Sequence, residues 1–252
     1  MSPEAESDLM NRRYSRSLLA VAATLAAILA AGCSGIPTAP DGNGTPEPPE
    51  DAIALPEPRE KGDVSVEEAL STRRSVRVYA DVPLALDDAG QLLWAAQGIT
   101  DDRGYRTAPS AGGLYPLEVY LVAGSVTDLE AGIYHYRPGE HLIIRVGAGD
   151  RRAGLQAAAI NQTPVGDAPA TIVIAAVPVR TTAKYGERGM RYVYMEAGHA
   201  AENVYLQAEA LDRATVVIGA FDEDEVREVL ALPENTTPLY LMPVGRSVPG
   251  NG

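Results

Sequence analysis

The sequence of 252 residues predicts an α+β domain. Three observations predict it: helix-start signals followed by apolar inner faces, a pair of alternating runs joined by a turn, and one continuous apolar run. Ser65-Val66-Glu67-Glu68 is a capping box, in which the Ser65 hydroxyl and the Glu68 carboxylate satisfy free amides at a helix start. Gly132 to Tyr136 and Leu142 to Val146 alternate across Arg137-Pro138-Gly139-Glu140 as a hairpin. Ala170 to Ala176 has no polar face, apart from Thr171, and fits a strand buried on both sides.

The amino terminus reads as an address. Arg12, Arg13 and Arg16 precede an apolar stretch from Leu18 to Ala31, the layout of a signal peptide over residues 1–32. The stretch falls short of the roughly 20 residues that span a bilayer. Leu29-Ala30-Ala31-Gly32-Cys33 resembles a bacterial lipobox, with Ala30 where such boxes usually carry Leu, so Cys33 is the expected lipidation site. An unmodified cysteine in an ordinary signal peptide stays the alternative. Arg12-Arg13 also raises twin-arginine export, but Tyr14-Ser15-Arg16 match that pattern poorly and a standard n-region serves as well, so the route stays open. Cys33 is the only cysteine, so no intrachain disulfide can staple the domain and its core must carry its stability.

Residues 33–60 carry seven prolines among glycine and acidic residues, the composition of a disordered or polyproline tether. Residues 61–248 are one domain, for which a 46% hydrophobic chain is sufficient, and 249–252 are a tail. Within the domain, a first helix ends near Thr72 and a second covers Leu86 to Gln97, closed by Gly98, with Leu92, Leu93 and Ala96 inward. Leu117 to Val122 is a strand, and His135 and His141 flank the hairpin turn as exposed residues. Tyr192 to Leu211 is a long helix with a stripe of Val193, Ala197, Ala200, Ala201, Val204 and Ala208; Glu196 and His199 share one face of it, in a structural hydrogen-bonding role. Val216 to Gly219 is a strand, Asp222 opens a helix over Val226 to Leu230, and Leu239 to Val244 is the last strand.

A net charge of −13 excludes nucleic acid as a partner and disfavours adhesion to anionic lipid, leaving membrane contact to the acyl anchor. Dinucleotide fingerprint, Walker loop and paired metal-ligand histidines are all missing from the sequence. What stands out is Arg73-Arg74-Ser75-Val76-Arg77, a cluster of guanidinium forks suited to a phosphate dianion. It is followed by the small-residue run Ala108-Pro109-Ser110-Ala111-Gly112-Gly113-Leu114-Tyr115-Pro116 and, near the end, by Gly245-Arg246. Small residues let a backbone approach a flat ligand closely.

These segments, with Gln91 to Thr100, Lys184 to Tyr192 and Glu196 to His199, resemble the FMN-dependent nitroreductase superfamily and, within it, the SagB-type (azoline oxidase-like) dehydrogenases, over roughly Lys61 to Val248. The resemblance implies the nitroreductase fold, a central and mostly antiparallel sheet flanked by helices, dimeric through the long helix, with each FMN bound between subunits. It implies that Arg73, Arg74 and Ser75 hold the FMN phosphate and ribityl chain, with Arg77 on the phosphate or pyrimidine side, and that Gly245 and Arg246 close that site. Pro109, Ser110, Ala111 and Gly112 would run along the isoalloxazine edge; Gly113 and Tyr115 stand where many nitroreductases carry Asn and Gln. Ile218 and Gly219 would offer an amide to flavin N5. Lys184 and Tyr185 match the acid/base pair of azoline oxidases, where a lysine desolvated beside Arg188 would have a lowered pKa.

The resulting expectation is an exported, lipid-anchored, extracytoplasmic homodimer that passes hydride between a small-molecule or peptide-derived substrate and FMN. The alternatives are a nitro or quinone reductase with an external reductant, and a flavin-binding lipoprotein without activity.

Overall fold

The computed structural model describes residues 51–248. In chain order the elements are β1 (Ala52–Ala54), α1 (Val66–Thr72), α2 (Leu86–Gln97), β2 (Leu117–Ala123), β3 (Gly132–Arg137), β4 (Leu142–Ala148), α3 (Arg152–Ala158), α4 (Thr163–Asp167), β5 (Ala170–Ala176), α5 (Val179–Tyr185), α6 (Arg188–Ala210), β6 (Ala214–Thr215), α7 (Glu223–Leu230) and β7 (Thr237–Gly245). The strands form one sheet of seven in the order β1-β4-β3-β2-β5-β7-β6, with every adjacent pair antiparallel. This is the α+β architecture that the sequence predicts.

β5 sits mid-sheet, and all seven of its residues are buried. Its pleat sends alternate side chains to opposite faces. Ile172 and Ile174 join a core with Leu92 and Leu93 of α2 and Val193, Ala197 and Val204 of α6. Val173 and Ala175 join a second core with Leu155 of α3, Val165 of α4 and Val226 and Leu230 of α7. A strand covered on both faces needs no polar alternation, which is why β5 reads as a continuous apolar run.

Two helix starts follow their local signals. The Ser65 hydroxyl accepts the Glu68 amide at 3.1 Å, and the Asp222 carboxylate accepts the amides of Asp224 and Glu225 at 3.0 Å each. α7 ends on Ala231 in the left-handed region, φ 49°.

Several expectations are corrected. The tether does not extend through residue 60: Ala52–Ala54 pairs with β4, and Leu55 is buried against α2, where Gly90 makes room for it. Proline composition alone hid a strand of three residues. The long helix starts at Arg188 rather than Tyr192, and α3, α4 and α5, each under two turns or scarcely longer, went unread. The strand expected over Val216 to Gly219 is displaced to Ala214–Thr215, with a single bridge from Ile218 to Leu241. Its ladder breaks because the Val217 amide donates to the Tyr205 hydroxyl at 2.8 Å. His135 is not an exposed hairpin residue, since it stacks on Tyr120 at 4.6 Å and its Nε2 lies 2.6 Å from Glu118 Oε2. The signal-peptide reading, Cys33, residues 33–50 of the tether and the tail at 249–252 lie outside the described residues.

Leu55→Ala tests whether the β1 segment belongs to the fold. A buried leucine truncated to alanine costs about 2 to 5 kcal/mol, so the urea midpoint should fall clearly. An unchanged midpoint would return residues 51–60 to the tether.

Candidate functional site

The arginine cluster and the end of the chain meet at the β6 edge of the sheet. Val76 donates its amide to the Thr215 carbonyl at 3.0 Å, and Ala80 donates to the Arg246 carbonyl at 2.8 Å, so the segment after α1 lies alongside β6 and the end of β7. A cavity of about 180 Å³ opens there, lined by Arg73, Arg74, Tyr205, Arg213, Thr215 and Ser247, among others. Arg73 and Arg74 thus reach the cavity as expected. Ser75 supports it, its Oγ lying 2.9 Å from the Tyr205 hydroxyl. Arg246 is exposed beside it, 3.8 Å from Asp212, a cavity-lining residue; so open an ion pair contributes little and yields readily to a stronger anion. Arg77 is exposed, bonded at 3.4 Å only to the carbonyl of Ser75, and does not line the cavity. Gly245 is buried, and a Cβ there would lie 2.9 Å from Pro169 and 3.0 Å from Tyr79. Its small size therefore serves packing beneath the arginines.

Tyr205, unremarked in the sequence, organises this corner. Its hydroxyl meets Ser75 and accepts the Val217 amide, while the Arg73 guanidinium lies over its ring at 5.1 Å. A tyrosine on the small-residue stripe of a helix has no local pattern that would single it out.

In the neighbouring segment, Ile218 is not the free amide. Its N–H donates to the Leu241 carbonyl at 2.8 Å and its side chain is in the second core. Gly219 is exposed, and its amide meets no acceptor among the described residues. Gly219 alone is thus available to a ligand.

At the other end of the sheet, the Pro109–Gly112 loop lies directly on α5. Gly112 has φ 67°, and a Cβ there would stand 2.7 Å from the Tyr185 hydroxyl and 3.0 Å from Lys184 Nζ. Only glycine combines that conformation with so close an approach. Tyr185 is held edge-on to Tyr192 at 5.1 Å, and Lys184 Nζ lies 5.4 Å from the Tyr185 ring centroid. Lys184 is exposed in the single chain, so the desolvation expected beside Arg188 is not supplied by the chain's own packing.

The loop also rests on a buried acid. Ser110 accepts the Tyr115 amide at 2.9 Å and lies beside the carboxyl of Glu196, which is 2% exposed with Oε1 unpartnered. Burial pushes the Glu196 carboxyl up to about 7, against the pull of Ser110 and Arg106. The shared role expected for Glu196 and His199 divides, for His199 is exposed.

The donor set fits a flavin mononucleotide: two arginines at a phosphate-sized cavity, an open amide at Gly219, and a glycine loop whose exposed backbone at Gly112 and Gly113 leaves room for a flat ring.

Glu196 gives the protein a pH signature. Unfolded, the carboxyl titrates near 4.5; folded, near 7. Between those values the folded protein keeps a proton that the unfolded chain has lost. The associated stability is full below about 4.5 and is lost as pH rises through about 7, a change on the order of 3 kcal/mol. Glu196→Gln should match the wild type near pH 4.5 and be the more stable of the two at pH 8, as measured by urea midpoints across the range.

The sequence pattern of the Nitroreductase family matches residues 70–246. A nitroreductase-like protein of Methanocaldococcus jannaschii is 46% identical over 196 residues, covering 78% of this chain and 96% of its own. The crystal structure of a nitroreductase-like protein from Ralstonia eutropha JMP134 superposes with a TM-score of 0.70 at 31% identity, over 79% of this chain and 90% of that one. The NADPH:FMN oxidoreductase of Vibrio harveyi, solved with NAD+, shares the fold at a TM-score of 0.53 and 22% identity, over 74% and 70% of the two chains. With the family pattern spanning most of its length and the fold to match, this chain belongs to the nitroreductase family and is an oxidoreductase.

Proposed function

We propose that the protein binds FMN between Arg73, Arg74 and Arg246 at one end and Gly112 at the other, and that it is a dehydrogenase of the SagB type. The observation that carries this reading is the contact of Gly112 with both Lys184 Nζ and Tyr185 Oη, which sets two proton-handling groups against the flavin loop. FMN, when bound, supplies the hydride-accepting centre. The chain's own residues do the rest. Arg73 and Arg74 would neutralise the phosphate, the Gly219 amide would be the donor to the ring edge, and Lys184 or Tyr185 receives the proton that substrate loses beside the hydride. An external acceptor then takes up the electrons.

A second copy of the chain belongs to this reading. Tyr194 and Met195 of α6 are 55% and 53% exposed on the helix that the family resemblance assigns to the dimer. Export and lipidation at Cys33 complete the proposal and rest on the sequence around that residue.

The relative at 46% identity carries the nitroreductase name, and the V. harveyi enzyme is named for NADPH and FMN, which favours reduction of a nitro or quinone compound by a nicotinamide donor as the second reading. The two readings differ in what they ask of α5. Under the dehydrogenase reading, Lys184→Ala and Tyr185→Phe should keep the flavin spectrum and lose turnover by about a hundred- to ten-thousand-fold, while reduction by dithionite proceeds as in the wild type. Full turnover in both variants would leave the reductase as the function.

The cofactor assignment has its own check. Denaturing the purified protein should release FMN rather than FAD, and Arg73→Ala should weaken its retention roughly tenfold or more through the loss of a charge-assisted bond of about 1.5 to 3 kcal/mol.

A further inference from the structure

A second cavity, of about 210 Å³, is reached by Arg180 of α5, and neither the cofactor reading nor the proton chemistry uses it. Gln97, Arg106, Glu118, Arg137 and Arg180 line it with the aromatic wall of Tyr136. Three guanidiniums therefore face one carboxylate, in a protein whose net charge is −13.

That carboxylate is already committed. Glu118 Oε2 lies 2.6 Å from His135 Nε2, and its other oxygen is in an ion pair with Arg180. Burial would raise the Glu118 carboxyl, but the His135 hydrogen bond and Arg180 outweigh it, so Glu118 is ionised at neutral pH. Arg106 bonds only an amide oxygen, Gln97 Oε1 at 2.7 Å, and lies over the Tyr115 ring at 4.5 Å. Its burial lowers the guanidinium below its ordinary value, against the opposing pull of Glu118 and Glu196. Glu196 approaches Arg106 from the loop side but is itself held partly protonated near neutrality. Arg137, exposed at the end of β3, makes no ion pair or hydrogen bond among the described residues. Gln97 is 1% exposed and its Nε2 is unpartnered, a buried donor left without an acceptor. Such a donor costs about 1 to 3 kcal/mol unless something fills the cavity with an oxygen.

The cavity is also wired to the reacting end of the protein. Arg180 stands one helical turn before Lys184 on α5 and donates to the Tyr115 carbonyl at 3.1 Å, at the end of the loop that Gly112 belongs to. We propose that this cavity recognises a carboxylate carried by the substrate, with Arg106 and Arg137 supplying the charge and the Gln97 amide a neutral donor, so that the rest of the substrate extends toward Lys184 and Tyr185. The inference builds on the site proposed above, though binding in the cavity does not depend on the direction of the redox reaction.

Calorimetric titration of the purified flavin-loaded protein with benzoate, its neutral isostere benzamide and inorganic phosphate tests it. Benzoate should bind, and benzamide at least tenfold more weakly. Arg137→Gln, a change at an exposed and unpaired residue, should lower benzoate affinity tenfold or more while leaving bound FMN unchanged. Lys184→Ala should bind benzoate as the wild type does, which separates this inference from the proton chemistry assigned to Lys184. Equal binding of benzoate and benzamide, or an unchanged affinity in Arg137→Gln, overturns the proposal; phosphate binding more tightly than benzoate overturns the carboxylate assignment.

Discussion

The constraint on which the rest depends is the double burial of β5. A strand with no solvent face must have neighbours on both edges and helices on both sides, and each of these obligations delivers part of the site. On one edge it pairs with β2, whose start is the end of the glycine loop; on the other it pairs with β7, whose end is Gly245-Arg246. On one face it is covered by α2 and α6, the latter bringing Glu196 under the loop and Tyr205 under the arginines. α5 follows β5 directly and sets Lys184 and Tyr185 against Gly112. The chemistry thus lies around the rim of one strand that carries none of it.

α6 then works as a ruler between the two ends of the site. Glu196 and Tyr205 are nine residues apart, about 13.5 Å of helix at 1.5 Å per residue. One lies beside Ser110 of the loop, and the other bonds Ser75 and Val217 at the arginine corner. Both are polar groups in a largely apolar stripe. A tyrosine keeps its hydroxyl satisfied there, whereas the carboxyl of Glu196 meets too few donors and retains its proton to higher pH. The same helix leaves Tyr194 and Met195 exposed.

Charge is distributed against the average. The chain as a whole is strongly acidic, yet arginines concentrate at two places, the β6 edge and the mouth beside β2 and β3. At the first, neither Arg73 nor Arg74 has an ion pair among the described residues, and Glu209 and Asp212 line the same cavity. At the second, Glu118 pairs with Arg180 and also acts on Arg106, and Arg137 has no ion pair among the described residues. A local excess of cations in an acidic protein is costly unless anions visit it, which links both clusters to ligands.

By itself the sequence determined the elements whose signals are local: the Ser65 and Asp222 caps, the hairpin and the apolar run of β5. These depend on neighbours a few residues apart, and periodicity or capping exposes them directly. Only the tertiary structure decided what depends on long-range pairing. Ala52–Ala54 is a strand because β4 offers an edge, and Val216–Gly219 is not one because Tyr205 takes the Val217 amide. Ile218 faces the core while Gly219 stays open, since Leu241 claims one amide of the pair. Gly245 serves Tyr79 and Pro169, and Arg106 and Gln97 become site residues through partners as distant in the chain as Glu118 and Glu196. A side chain's protonation and its free hydrogen-bonding capacity follow from burial and partners, and those exist only once the chain has closed on itself.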